Sequence, residues 1–226
     1  MSLLVKICGL KTSDALDAAL EAGADMVGFV FFAPSPRHLG YEAARLLGER
    51  VKGRAAKVAL SVDATDAELG NVVEALKPDM LQLHGRETPE RVAVLRSRFG
   101  LPVMKALPVE QRSDLSPIRE YAHVADRILF DARAPQDATR PGGLGKAFDW
   151  RLLENLDIAV PFMLSGGLDA RNVAEALAIT RAPSVDVSSG VEKRPGEKDI
   201  AKIRAFVRAA RSAGDVLDLQ QAERLA

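Results

Sequence analysis

Eight short apolar runs alternate with amphipathic stretches along the chain, and this alternation constrains the fold more than any other feature. The runs begin near Leu4, Met26, Ala56, Met80, Pro102, Arg127, Pro161 and Ser184. They read LVKIC, MVGFVF, AKVALSV, MLQLH, PVMKAL, RILFD, PFMLS and SVDVSS. Their separation, roughly 22 to 34 residues, is about one strand–helix unit each. Several runs are nearly continuous in apolar character, as parallel strands covered on both faces require. The stretches between them carry helix-start signals. Thr65-Asp66-Ala67-Glu68 has the spacing of a capping box. Thr88-Pro89 reads as an N-cap followed by proline at the first helical position, and Thr12 or Ser13 caps a helix through Leu20. Apolar residues recur at helical spacing in Val92, Leu95 and Phe99, in Val173, Leu177 and Thr180, and in Ile200, Ile203 and Val207.

Eight such units in 226 residues predict a single α/β domain, a (β/α)8 TIM barrel. A doubly wound open sheet is the alternative, but it usually has fewer strands at this length. It also needs a phosphate loop after the first strand, and Cys8-Gly9-Leu10-Lys11 matches neither GxGxxG nor GxxxxGK[ST]. No linker or composition break divides residues 1–226. Residues 214–226 read as a C-terminal extension beyond the eighth helix, either an extra helical turn or a frayed end.

Composition narrows the function. Hydrophobic residues make up 47% of the chain, enough for a core, and 31 Lys and Arg balance 31 Asp and Glu. A neutral chain has no field for nucleic acid or an anionic membrane, so any phosphate site must be local. The single cysteine, Cys8, excludes an internal disulfide framework and cysteine-cluster metal sites; the three histidines have no metal-ligand spacing. No apolar run approaches the roughly 20 residues of a membrane span. The N-terminal run is short and carries Lys6, unlike a secretory signal. A cytoplasmic protein is expected, as monomer or homodimer.

Barrel active sites lie at the carboxyl ends of the strands. The polar residues there are Cys8, the Ser35-Pro36-Arg37 loop, Asp63, His84, Lys105, Asp131, Ser165 with Gly166 and Gly167, and Asp186 with Ser188, Ser189 and Gly190. Loops after strands 7 and 8 often bind phosphate, because glycine lets backbone N–H groups approach the anion at a helix N-terminus. Gly166-Gly167 and Ser189-Gly190 fall at those two strands, although a lone Gly-Gly pair equally makes a tight turn. A third glycine loop, Pro141 to Lys146, is long enough to fold over a ligand, and Lys146 adds charge. Lys6 precedes Cys8 by two residues and shares its face of a regular strand. A neighbouring cation favours the thiolate, whose reference pKa is about 8.5, and a thiolate serves as base or nucleophile. Asp131 ends an apolar strand, and burial favours the protonated form of such a carboxyl. Cys8 and Asp131 then form an acid–base pair across the barrel mouth. Arg37, on a proline-fixed loop, presents a planar bidentate donor suited to a carboxylate. His84 and Asp131 also have plainer uses, as a satisfied structural histidine and as a loop cap.

Taken together, these strand ends resemble a known family. The carriers are Lys6-Ile7-Cys8-Gly9, Gly28-Phe29-Val30-Phe31 with Ser35-Pro36-Arg37, Leu81-Gln82-Leu83-His84-Gly85, and Leu129-Phe130-Asp131. They continue in Gly142-Gly143-Leu144-Gly145-Lys146 with Phe148-Asp149-Trp150, Leu164-Ser165-Gly166-Gly167-Leu168, and Val185 to Glu192. In this order they are similar to the phosphoribosylanthranilate isomerase family of tryptophan biosynthesis, over about residues 4–208. The resemblance implies a (β/α)8 barrel without metal or organic cofactor. It implies an Amadori rearrangement of N-(5-phosphoribosyl)anthranilate to an aminodeoxyribulose phosphate. By motif, Cys8 is then the general base and Asp131 the general acid. Arg37 meets the anthranilate carboxylate, His84 joins it in binding substrate, and Asp186 lies near the ribose hydroxyls. The loops at Gly145, Gly166, Gly167, Ser189 and Gly190 hold the phosphate. Leu144 departs from the Thr or Ser expected there.

Two other functions compete. Another phosphate-binding barrel enzyme, an aminoaldose isomerase or an indole-forming synthase, is expected to use paired aspartates or a catalytic lysine instead. A non-catalytic barrel that binds a sugar phosphate needs neither Cys8 nor Asp131.

Overall fold

The computed structural model describes residues 3–135, 138, 141–143, 145 and 147–225, with side chains to residue 220. Its strands are β1 (Leu4–Cys8), β2 (Met26–Phe31), β3 (Ala56–Ser61), β4 (Met80–Leu83), β5 (Val103–Val109), β6 (Arg127–Ala132), β7 (Phe162–Leu164) and β8 (Ser184–Val187). Each pairs in parallel with the next, and β1 pairs with β8 in the register Leu4↔Ser184 and Lys6↔Asp186, closing the barrel. The (β/α)8 expectation holds, and every strand begins within a residue of its apolar run. At β5 and β7 the strand starts just after Pro102 and Pro161, which have no N–H to give a ladder.

The helices are α1 (Ser13–Glu21), α2 (Tyr41–Val51), α3 (Asp66–Leu76), α4 (Pro89–Phe99), α5 (Ile118–Ala122), α6 (Val173–Thr180) and α7 (Ile200–Leu225). Thr12, not Ser13, caps α1, its hydroxyl accepting from the Ala15 N–H at 3.3 Å. The α3 capping box forms: Thr65 N–H donates to Glu68 at 2.7 Å, and Glu68 N–H donates back to the Thr65 hydroxyl at 3.3 Å. Thr88 caps α4 with Pro89 at its first turn.

Two expectations need correction. The sixth unit has no α-helix among its described residues; a single 3-10 turn, Trp150–Leu153, separates β6 from β7. The glycine- and proline-rich segment after Asp131 occupies the chain that a helix would need. Secondly, the stretch from Gly214 does not lie beyond the last helix but continues it, α7 running unbroken to Leu225. Gly214 passes close over Leu3, and Arg211 donates to the Leu3 carbonyl and, at 2.6 Å, to Asp25. A small hairpin that the apolar pattern does not show, β9 (Glu192–Arg194) with β10 (Glu197–Lys198), stands between β8 and α7.

Strand alternation divides the side chains. Val5, Ile7, Leu81, Leu83, Ile128, Phe130, Val185 and Val187 join the large core between sheet and helices. Residues of the opposite parity point into the barrel. Near its amino end that interior is a separate apolar cluster of Met26, Val58, Met104, Ala106, Leu129 and Met163. No helix among the described residues is long and apolar enough to cross a membrane.

Candidate active site

The same alternation decides which strand-end residues reach the mouth. Cys8, His84, Asp131, Ser165 and Asp186 have inward parity and line one pocket with Arg37, Gly145, Gly166, Gly167 and Ser189. Gly190, expected there, packs against the Leu168 carbonyl and is not part of the lining of that pocket. Asp63 and Lys105 do not line it. Lys105 shares the outward parity of Val103 and Leu107. Its ammonium donates to the carbonyls of Leu83 (3.2 Å) and Gly85 (2.8 Å) and to Glu87 (3.0 Å). Glu87 also accepts from the N–H groups of Asp63 and Gly85, both at 2.9 Å. This buried knot fixes the chain on both sides of His84.

Cys8 ends β1 beside Gly28 of β2, its partner in register. A side chain at Gly28 would strike the Cys8 sulfur, so glycine makes room for it there. Lys6 is fully buried and donates to Asp186 at 2.8 Å; the Ser165 hydroxyl donates to the other Asp186 oxygen at 3.1 Å. Burial pulls Lys6 down, but Asp186, together with Cys8, more than offsets it and holds the amine above its ordinary range. The expected depression of Cys8 does not occur. Burial pushes the thiol up, and the cations of Lys6 and Lys198 only partly counter it, with Asp186 adding to the rise.

Asp131 ends the inward face of β6, three strands from Cys8 around the ring. Its Oδ1 accepts from the Ala132 N–H at 2.9 Å, and Oδ2 lies 3.2 Å from His84 Nε2. His84 Nδ1 in turn lies 3.0 Å from the Gln82 amide nitrogen. Both ring nitrogens therefore have protein partners. When the amide donates to Nδ1, Nε2 carries the hydrogen and donates to Asp131. Gly142, after β6, lies against the pair, and a side chain there would collide with both Asp131 and His84. Leu144 and Lys146, singled out in the same loop, lie outside the described residues.

Arg37 is buried, and its guanidinium is not the free fork expected. Nε and Nη2 each donate at 2.8 Å to the two oxygens of Glu192, and Nη2 donates also to the Gly143 carbonyl at 3.1 Å. Only Nη1 lacks a partner among the described residues. Across the pocket, the N–H groups of Gly167, Ser189 and Gly190 donate in none of the turn, loop or cap backbone hydrogen bonds among the described residues. Ser189 to Val191 form one 3-10 turn. In the sequence Glu192 has a place in a motif but no role, and nothing signals Glu87 or Lys198. Their importance comes from contacts across 18 residues or more, or from a hairpin with no apolar signature.

Fold and pocket define a barrel enzyme with its chemistry at the carboxyl ends of the strands. Residues 5–209 match the family model described as N-(5'phosphoribosyl)anthranilate (PRA) isomerase. The N-(5'-phosphoribosyl)anthranilate isomerase of Bradyrhizobium sp. (strain ORS 278) is 66% identical over 216 residues, covering 96% of this chain and 99% of that one. The crystal structure of phosphoribosyl anthranilate isomerase from Thermotoga maritima matches with a TM-score of 0.84 at 34% identity, covering 93% and 99% of the two chains. A further structure of such an isomerase, in complex with reduced 1-(o-carboxyphenylamino)-1-deoxyribulose 5-phosphate, matches with a TM-score of 0.79 at 31% identity, over 93% and 99%. The chain belongs to the N-(5'-phosphoribosyl)anthranilate isomerase family.

Proposed function

We propose that this pocket isomerises N-(5'-phosphoribosyl)anthranilate to 1-(o-carboxyphenylamino)-1-deoxyribulose 5-phosphate, a step of tryptophan biosynthesis. The observation that carries the assignment of roles is the meeting of Cys8 and Asp131, on separate strands, in one pocket with Arg37 and the two glycine loops. Asp131 donates a proton to the ribose ring oxygen, and the C1′–O bond breaks to leave an iminium. The iminium acidifies the C2′ hydrogen, which the Cys8 thiolate removes as general base. The enolamine then takes a proton at C1′ and its C2′ hydroxyl becomes the ketone. C1′ is reduced and C2′ oxidised within one molecule, so the reaction is an intramolecular oxidoreduction of the aldose–ketose type.

Arg37 Nη1 faces the anthranilate carboxylate. The phosphate sits on the N–H groups of Gly167, Ser189 and Gly190, with Gly145 and Gly166 lining its edge. Asp186 lies near the ribose hydroxyls while it holds Lys6. His84 borders the substrate and aligns Asp131. A cytoplasmic setting belongs to the same assignment, because a base at Cys8 must remain a reduced thiol.

The test is turnover by the purified protein of phosphoribosylanthranilate generated in situ, and rescue of a tryptophan auxotroph lacking only this isomerase. Turnover with rescue is expected. Absence of both would leave a sugar-phosphate-binding barrel without this activity.

A further inference from the structure

The ammonium of Lys198 is buried in three contacts. It lies 2.9 Å from the Ser188 carbonyl, 3.2 Å from the Ser188 hydroxyl and 2.9 Å from Glu192 Oε1. The Ser188 hydroxyl gives its hydrogen to the Cys8 carbonyl at 3.1 Å, so toward Lys198 it accepts. All three partners are acceptors, and satisfying them takes three N–H bonds. A neutral amine has two; the ammonium has three. Lys198 is therefore charged in this arrangement, although burial pulls its pKa down against the support of Glu192.

Glu192 sits between two cations, with the Arg37 fork on one side and Lys198 on the other. All three side chains are at most 5% exposed, so water screens them little. Paired with Arg37 alone, Glu192 would cancel the guanidinium and leave the pocket end neutral. Lys198 neutralises Glu192 a second time and leaves one net positive charge. The only guanidinium nitrogen without a described partner is Nη1, on an arginine that lines the pocket. Gly143 has no side chain to occupy the space beside that nitrogen.

We infer that Lys198 is a specificity-determining residue. Through Glu192, it keeps the charge of Arg37 available for the carboxylate on the substrate's aromatic ring. This rests on the Arg37 contact proposed above. Lys198 touches no substrate atom in this scheme and acts as a positioning residue. A merely structural role would weaken all ligands alike, whereas a charge role acts on ligands that carry the carboxylate.

Calorimetric titration with two ligands separates these roles. One is reduced 1-(o-carboxyphenylamino)-1-deoxyribulose 5-phosphate; the other is its phenylamino analogue without the carboxyl group. The readout is the ratio of their dissociation constants, with thermal unfolding confirming that each variant is folded. Lys198→Met should reduce the preference for the carboxylate ligand about tenfold, as expected for weakening a charged hydrogen bond. Lys198→Met combined with Glu192→Gln removes one charge of each sign and should restore it. Glu192→Gln alone keeps both cations and should preserve or raise the preference, which tests the inference even if Lys198→Met does not fold. An unchanged ratio in Lys198→Met, no recovery in the double variant, or a fall in Glu192→Gln would overturn the role of Lys198. Arg37→Met is the control for the underlying contact. If it leaves the ratio of the wild-type protein intact, the Arg37 assignment itself fails.

Discussion

At the amino end of the barrel the interior is filled by Met26, Val58, Met104, Leu129 and Met163, whereas toward the mouth it holds Lys6, Cys8, Gln82, Asp131 and Asp186. Both sets come from strands of the one barrel, with the same inward parity. The apolar end gains from burial alone and needs no particular orientation of its groups. The polar end is held largely by pairs: Lys6 with Asp186, His84 with Asp131, Arg37 with Glu192. Each pair joins residues from different strands or loops, so the site exists only when the ring is closed. Stability and chemistry are thus placed at opposite ends of one cavity.

Substitutions at the two ends should separate in what they change. The largest effect is expected at the mouth. Cys8→Ser and Asp131→Asn should each lower kcat by roughly 10²–10⁴-fold, the usual range for a general acid or base, with unfolding transitions near that of the parent. Near wild-type kcat in Cys8→Ser would assign the base to another group. The next effect belongs to the other end. Met163→Ala, a truncation in the apolar cluster, should cost about 2–5 kcal/mol of unfolding free energy. Below its unfolding temperature kcat should stay unchanged, and a matching loss of kcat would show that the two ends are coupled.

The smallest effect per step is in pH. Burial raises the Cys8 thiol above its ordinary value. The base form is present above that raised value and is lost as pH falls through it. In Asp131→Asn, where that acid no longer titrates, the remaining kcat/KM should therefore climb through neutrality into the alkaline range, by about tenfold per pH unit below the thiol's pKa, or about 1.36 kcal/mol for each unit. A flat profile of this variant between pH 6 and 8 would contradict an elevated thiol. The apolar end holds no titrating group in its cluster, so its contribution to stability should not vary over the same range.

The strands were legible because each is a run of apolar residues, and the caps at Thr65 and Thr88 because capping is local in sequence. The sixth unit misled because a (β/α)8 count supplies a helix by analogy, while the glycine- and proline-rich chain after Asp131 argues against one. Inward parity, readable from the sequence, separates His84 and Asp131 from Lys105; listing strand-end residues without it kept Lys105 as a candidate. The direction of the Cys8 shift was not legible. It depends on the competition between burial and Lys6, and Asp186, 180 residues away in the chain, already holds that lysine. The Arg37–Glu192 pair joins residues 155 apart, and no local pattern announces it.

Pairing of β1 with β8 has a consequence for the order in which the molecule is made. Ribosomal synthesis proceeds from the N-terminus, so Cys8 emerges early while Asp186, Ser188 and Lys198 emerge near the end. Neighbouring pairs such as β2 with β3 close short segments as they appear, but the β1–β8 seam must wait for nearly the whole chain. Until then Lys6 is a cation on a free sheet edge, without the carboxylate that holds it in the finished ring. The last seam to form is therefore the one that completes the surroundings of the Cys8 thiol, and a nascent chain stalled before β8 has the nucleus of a sheet but not the completed pocket.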